Sequence, residues 1–200
     1  MEISVIVSNY NYARFLPRCI RSLVTQSFNK SEYEIIVIDD CSTDDSKDVI
    51  TTFNNHIRFI ANSKNIGLAA TCNKAIHSAL GKYIIRVDAD DYVSSDFLKV
   101  HQLFLSHNKK EMNATSCDYY EVDDNENMIR RRSGITFPIA CGVMYKTDDM
   151  ISLGLYNEML PREDVDFRSR FLQSGKNIYN IPIPLYRYTQ HTKSMTKNGI

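Results

Sequence analysis

Short β-branched runs alternate with stretches whose apolar residues recur at helical spacing, and this alternation fills the first half of the chain. Ile3-Ser4-Val5-Ile6-Val7 predicts a strand. After the polar loop Ser8-Asn9-Tyr10-Asn11-Tyr12, the apolar set Leu16, Cys19, Ile20, Leu23 and Val24 predicts a helix with one buried face. Pro17 is tolerated there only in the first turn. Glu34-Ile35-Ile36-Val37-Ile38 is apolar almost throughout, as a strand buried on both faces should be. A second helix follows, with Ser42 as N-cap, Asp44 and Asp45 favouring its start, and Val49, Ile50 and Phe53 buried. Ile57-Arg58-Phe59-Ile60 predicts a third strand. The next helix carries Cys72, Ala75, Ile76 and Ala79 on one face, with Gly81 placed to end it. Lys82-Tyr83-Ile84-Ile85 is the fourth strand. This order predicts right-handed βαβ units and a mainly parallel sheet covered on both sides by helices.

The pattern changes after residue 93. A helix from Ser94 buries Phe97, Leu98, His101, Phe104 and Leu105, and His101, on or beside the apolar face, reads as a core or boundary histidine rather than a ligand. Ala114 to Val122 and Met128 to Arg132 read as a hairpin around Asp123-Asp124-Asn125-Glu126-Asn127. Pro161 breaks the chain before a helix that should bury Val165, Phe171 and Leu172. Two strand-like pieces, Asn177 to Ile181 and Leu185 to Tyr188, flank Pro182 and Pro184.

Composition adds exclusions. Two hundred residues suit one domain with a sizeable core. Lys+Arg and Asp+Glu both number 24, so no basic excess points to nucleic acid. The five cysteines are scattered without a C-x-x-C pair, which favours a reduced, cytoplasmic chain. The N-terminus lacks the pattern of a signal peptide, and no apolar run approaches a membrane span. Arg130-Arg131-Arg132 is a solvated face or a contact for anions, lipid headgroups included, which leaves peripheral association at the inner face of a membrane open.

The candidate chemistry lies at strand ends. Asp88-Ala89-Asp90-Asp91 puts three carboxylates where a strand turns, and their mutual repulsion is relieved by solvation or by a divalent cation such as Mg²⁺ or Mn²⁺. Ser8 to Tyr12 and Asp39-Asp40 lie at two further strand ends, where open α/β sheets bind ligands. Glu163 and Asp164 fall in the first turn of a helix, where they act as ordinary capping charges or as a general base.

Val5-Ile6-Val7-Ser8-Asn9-Tyr10-Asn11, Val37-Ile38-Asp39-Asp40-Cys41-Ser42-Thr43-Asp44 and Asp88-Ala89-Asp90-Asp91 resemble the family 2 glycosyltransferases of the GT-A fold. The resemblance implies an α/β chain with a Rossmann-like sheet and a smaller mixed sheet on the acceptor side. It divides the single domain into a nucleotide-sugar-binding half, residues 1–92, and an acceptor-binding half, residues 93–200. It places Ser8 and Tyr10 at the base, Asp39 and Asp40 at base and ribose, and Asp88 by the ribose, with Asn65 and Ala89 in the same pocket. Asp90 would ligate Mn²⁺ or Mg²⁺ on the diphosphate. Asp164 would be the base, with Glu163 beside it as a sugar contact. Tyr186-Arg187 and His191 resemble the closing segment of the family's catalytic domains, so Arg187 and Lys193 would offset phosphate charge and His191 would meet phosphate or metal. Cys41 stands where the family usually has glycine, so a positive φ would be strained there. Gly142 either lets the backbone approach a bound sugar or serves packing alone.

The implied activity is inverting, metal-dependent transfer from a nucleoside diphosphate sugar, with UDP the first expectation, to a saccharide or lipid-linked glycan acceptor in surface polysaccharide synthesis. Two alternatives stand beside it. One is a sugar nucleotidyltransferase, against which the first loop, lacking glycine and lysine, argues. The other is a non-catalytic module that binds nucleotide sugars or a partner.

Overall fold

The computed structural model describes residues 1–107 and 112–191. Its first half runs β1 (Ile3–Asn9), α1 (Leu16–Val24), β2 (Tyr33–Asp39), α2 (Ser46–Thr51), β3 (Arg58–Ala61), α3 (Leu68–Ser78) and β4 (Tyr83–Arg86). The four strands are parallel in the order β3-β2-β1-β4, with Val5 of β1 level with Ile35 of β2 and Ile85 of β4. Alternate side chains point to opposite faces of a strand. Ile3, Val5 and Val7 therefore pack with Leu16, Cys19, Ile20 and Leu23 of α1, while Ile6, Ile36 and Ile38 pack with Cys72, Ala75 and Ile76 of α3. Two covered faces explain the unbroken apolar runs, and each such side chain contributes roughly 1.5–3 kcal/mol by burial.

Two predicted boundaries move. Asp45, not Ser42, is the N-cap residue of α2, and Phe53 lies past its end. The Ser42 hydroxyl is drawn instead to the loop after β1, where it accepts from Asn9 Nδ2 at 3.0 Å and from the Asn11 N–H at 2.9 Å. Helix α3 ends at Ser78 with Ala79 already extended, so Gly81 does not cap it. Gly81 is needed for space: a Cβ there would lie 2.3 Å from the Ser4 nitrogen of β1.

The second half comprises β5 (Tyr92–Val93), α4 (Phe97–His107), β6 (Ala114–Val122), β7 (Met128–Arg132), β8 (Met144–Lys146), α5 (Thr147–Ser152), α6 (Glu163–Gln173) and β9 (Ile178–Thr189). These strands continue the first sheet rather than forming a separate one. β8 adds antiparallel to β4, and the order runs on through β6, β9 and β5, with β7 paired to β6. The two predicted pieces near the C-terminus are one strand, β9. Its register against β6 passes from Cys117–Ile181 to Asp118–Pro184, so Pro182 and Ile183 are looped out where a proline cannot donate to the ladder.

His101 is a core histidine. Its Nδ1 lies 2.8 Å from Thr115 Oγ1, and burial pulls its pKa down to about 3, so the ring is neutral. Helix α6 buries Glu163, Phe167 and Phe171, whereas Val165 and Leu172 are exposed. The buried face follows an i, i+4 row that the apolar residues alone misplace, because its first member is a carboxylate. Arg130, Arg131 and Arg132 are matched by acidic residues of β6: Glu121 lies 2.5 Å from Arg130 and 2.8 Å from Arg132, and Asp118 lies 2.7 Å from Arg131. The run is thus largely neutralised and is not a free basic patch. All five cysteines are unbridged. Among the described residues no helix is long and apolar enough to cross a membrane.

Candidate functional site

A cleft of about 520 Å³ opens beyond the carboxyl ends of β1, β2 and β4. Ser8, Tyr10, Asp40, Asn65, Asp88, Ala89 and Asp90 line it, as do Tyr12, Gly67, Leu68, Thr71 and Tyr188. Tyr188 comes from β9, so the second half of the chain contributes to the wall.

Hydrogen bonds from one loop to the next shape the wall. Asp39 is buried and accepts from Asn9 Nδ2 at 2.7 Å, from the Ser42 N–H at 3.0 Å and from the Ser42 hydroxyl at 2.5 Å. It locks the first two loops together and does not line the cleft. Asp40 accepts from Asn62 Nδ2 and the Ile66 and Gly67 N–H groups, each at 2.9 Å, and so holds the turn before α3 against the opening. Cys41, which follows Asp39 and Asp40, has φ +63°. That left-handed conformation costs a non-glycine residue roughly 1–2 kcal/mol, and the bonds of Asp40 before it and of Ser42 to Asp39 after it keep it there. Gly142 also has positive φ, +70°, and an added Cβ would lie 2.9 Å from the Tyr186 ring, which accounts for glycine by packing.

The three carboxylates of the acidic turn have different surroundings. Asp91 is buried, its Oδ1 accepting from the Thr189 N–H and its Oδ2 from the Tyr186 hydroxyl, both at 2.7 Å. Burial, with Asp90 and Asp88 nearby, pushes its pKa well up. Asp91 therefore ties the turn to β9. Asp90 faces the cleft with Oδ2 at 2.8 Å from His191 Nε2. Burial and the Asp88 charge raise its pKa, and His191 opposes them. The His191 ring rests on Phe15, with centroids 4.7 Å apart. Asp88 pairs with Arg86, Nε to Oδ1, at 3.0 Å.

Asp88, Asp91 and the Cys141 thiol bring ligand atoms within 4.8 Å of one another, an acidic cluster that fits a divalent cation. Two of these three are poor donors. The Asp91 oxygens are engaged by Tyr186 and Thr189, and the Cys141 thiol is a soft donor that suits Mg²⁺ or Mn²⁺ poorly. Asp90 adds a hard oxygen donor at the cleft beside this cluster, with His191 Nε2 2.8 Å from its Oδ2.

Glu163 is buried, its Oε1 3.1 Å from Arg86 Nη1. Asp164, next along α6, is half-buried. Arg187 does not line the cleft: it donates to the Pro184 carbonyl at 2.8 Å and lies over the Tyr120 ring. Lys193 lies outside the described residues. Arg86 escaped sequence reasoning, although a signal was present: it ends the otherwise apolar run Tyr83-Ile84-Ile85, and a charge buried there requires partners.

The family described as "Glycosyl transferase family 2" matches residues 4–166. The poly(ribitol-phosphate) beta-N-acetylglucosaminyltransferase TarS of Staphylococcus aureus is 30% identical over 115 residues, covering 56% of this chain and 20% of TarS. The crystal structure of S. aureus TarS 1-349 in complex with UDP-GlcNAc superposes with TM-score 0.85 at 22% identity, over 98% of this chain and 61% of that one. A mannosyltransferase from Pyrobaculum calidifontis, in complex with GDP-Man and Mn²⁺, superposes with TM-score 0.80 at 17% identity, over 96% of this chain and 58% of that one. The chain thus spans about a fifth of the length of full TarS and about three fifths of these structures. The sheet and its helices have the GT-A fold expected from the sequence.

Proposed function

We propose, from the premise that the chain belongs to glycosyl transferase family 2, that it transfers a sugar from a nucleoside diphosphate donor to a glycan acceptor with inversion at the anomeric carbon. The observation that carries this reading is the convergence of Ser8, Tyr10, Asp40, Asp88 and Asp90 on one cleft at the strand ends. UDP is the first candidate nucleotide, because TarS is seen with UDP-GlcNAc, and a saccharide or lipid-linked glycan is the acceptor class.

Residues 1–92 supply most of the donor cleft. Tyr10, 44% exposed at its mouth, offers a ring for the base to stack on. Ser8 and Asp40 present hydrogen-bonding groups beside it, and Asn65 and Ala89 close the walls. Asp90, with His191 beside it, would hold Mn²⁺ or Mg²⁺, and Asp88 would lie by the ribose. A bound cation supplies Lewis-acid stabilisation of the charge that develops on the departing nucleoside diphosphate. Residues 93–200 shape the acceptor side. Asp164 takes the proton from the acceptor hydroxyl as its oxygen attacks the anomeric carbon opposite the leaving group. Glu163, held by Arg86, sets the start of α6 beside it.

Incubation with UDP-, GDP- and CMP-sugars and Mn²⁺, with mixed saccharide acceptors, tests the reading. One nucleotide class should release free nucleotide, and the new linkage should show inverted anomeric configuration by ¹H NMR. Retention of configuration, or formation of a nucleotide sugar from a nucleoside triphosphate, would contradict it.

A further inference from the structure

The geometry points to Arg86 as a positioning residue that couples the donor-side acidic turn to the helix carrying the proposed base. This inference rests on the transferase reading for its kinetic part alone.

Arg86 ends β4, two residues before Asp88, and its side chain is only 6% exposed. Its guanidinium spans two elements that no main-chain ladder joins. Nη1 donates to Glu163 Oε1 at 3.1 Å, and Nε lies 3.0 Å from Asp88 Oδ1 as an ion pair without hydrogen-bond alignment. The plane also lies over the Tyr156 ring, 5.8 Å from its centroid, on the segment leading into α6. One fork therefore touches the donor cleft, the first residue of α6, and the segment that delivers α6.

Phe167, packed on Tyr145 and Tyr156, and Arg170, paired with Asp166, hold α6 from its second turn onward, so its first turn depends most on Arg86. Its N-cap, Arg162, is exposed, has φ +61° and makes no side-chain capping bond. The first intrahelical bonds, from the Val165 and Asp166 N–H groups to the Arg162 carbonyl, are 3.1 and 3.3 Å long. Asp164 follows Glu163, so the Arg86–Glu163 pair sets where its carboxylate stands. A change at Asp88 when donor enters the cleft reaches α6 through the same side chain.

Lysine carries the charge but not the fork, and one ammonium does not reproduce both contacts in this geometry. Arg86→Ala risks unfolding, because a buried pair broken on one side leaves Glu163 uncompensated. Arg86→Lys is the test, with hydrogen exchange of the whole chain as a readout independent of activity. The expected result is at least tenfold faster exchange of the amides at 165–168, with exchange in β1 and α1 within twofold of wild type. In kinetics, kcat falls 10- to 100-fold while donor KM stays within threefold. Unchanged exchange at 165–168, or equal acceleration throughout the chain, overturns the proposal. So does an equal loss carried by KM alone. If the wild type binds and turns over no nucleotide sugar, the transferase reading fails, and the exchange pattern still decides the role of Arg86.

Discussion

Asp164→Asn abolishes sugar transfer and leaves donor affinity within about twofold of wild type. The amide keeps the size and much of the hydrogen bonding of the carboxylate but cannot accept the acceptor's proton. General-base catalysis typically contributes 10²–10⁴-fold, so kcat should fall by about 10³ or more. Asp164 is half-buried and outside the donor cleft, unlike Glu163, whose loss would disturb Arg86 as well. Folding should therefore be nearly unaffected. Steady-state kinetics with the best donor, together with calorimetric titration of its nucleotide, check this. Transfer at more than a tenth of the wild-type rate removes Asp164 from the role of base.

Asp90→Ala should remove the Mn²⁺-dependent part of nucleotide affinity. The expected loss is about 100-fold in Mn²⁺, with metal-free affinity changed by less than about threefold. The reason lies in how the three carboxylates divide their tasks. Asp91 is committed to Tyr186 and Thr189, and Asp88 is committed in part to Arg86. Asp90 lines the cleft with an imidazole 2.8 Å from its Oδ2. Titrating the nucleoside diphosphate with and without Mn²⁺ separates the two affinities. An undiminished Mn²⁺ effect in the variant takes Asp90 out of the coordination shell.

The parallel half of the fold was legible because its strands are buried on both faces, which leaves an unbroken apolar run, and because the intervening helices are amphipathic. The same reading located the strand ends and hence the cleft. It failed where tertiary bonds outrank local preference. Ser42 looks like a helix cap, yet the side chains around Asn9 and Asp39 claim it. Val165 and Leu172 look like core, yet the buried face of α6 begins with Glu163, because Arg86 lies beneath it. Cys41, standing where the resembled family usually has glycine, marked a turn in which a positive φ would be strained, and the structure has that φ there. The position of Arg187, turned from the cleft towards Tyr120, was not legible, because it depends on the register of β9 past two prolines.

The central claim is that Asp90 faces a metal-bridged nucleoside diphosphate in this cleft. Crystals of the wild-type protein grown with UDP and Mn²⁺, and measured for anomalous scattering, test it most directly. The account predicts a manganese peak bonded to the Asp90 carboxylate and to the diphosphate, with the base against Tyr10. A peak at Asp91 and Cys141 instead, or nucleotide bound outside the cleft, would contradict it.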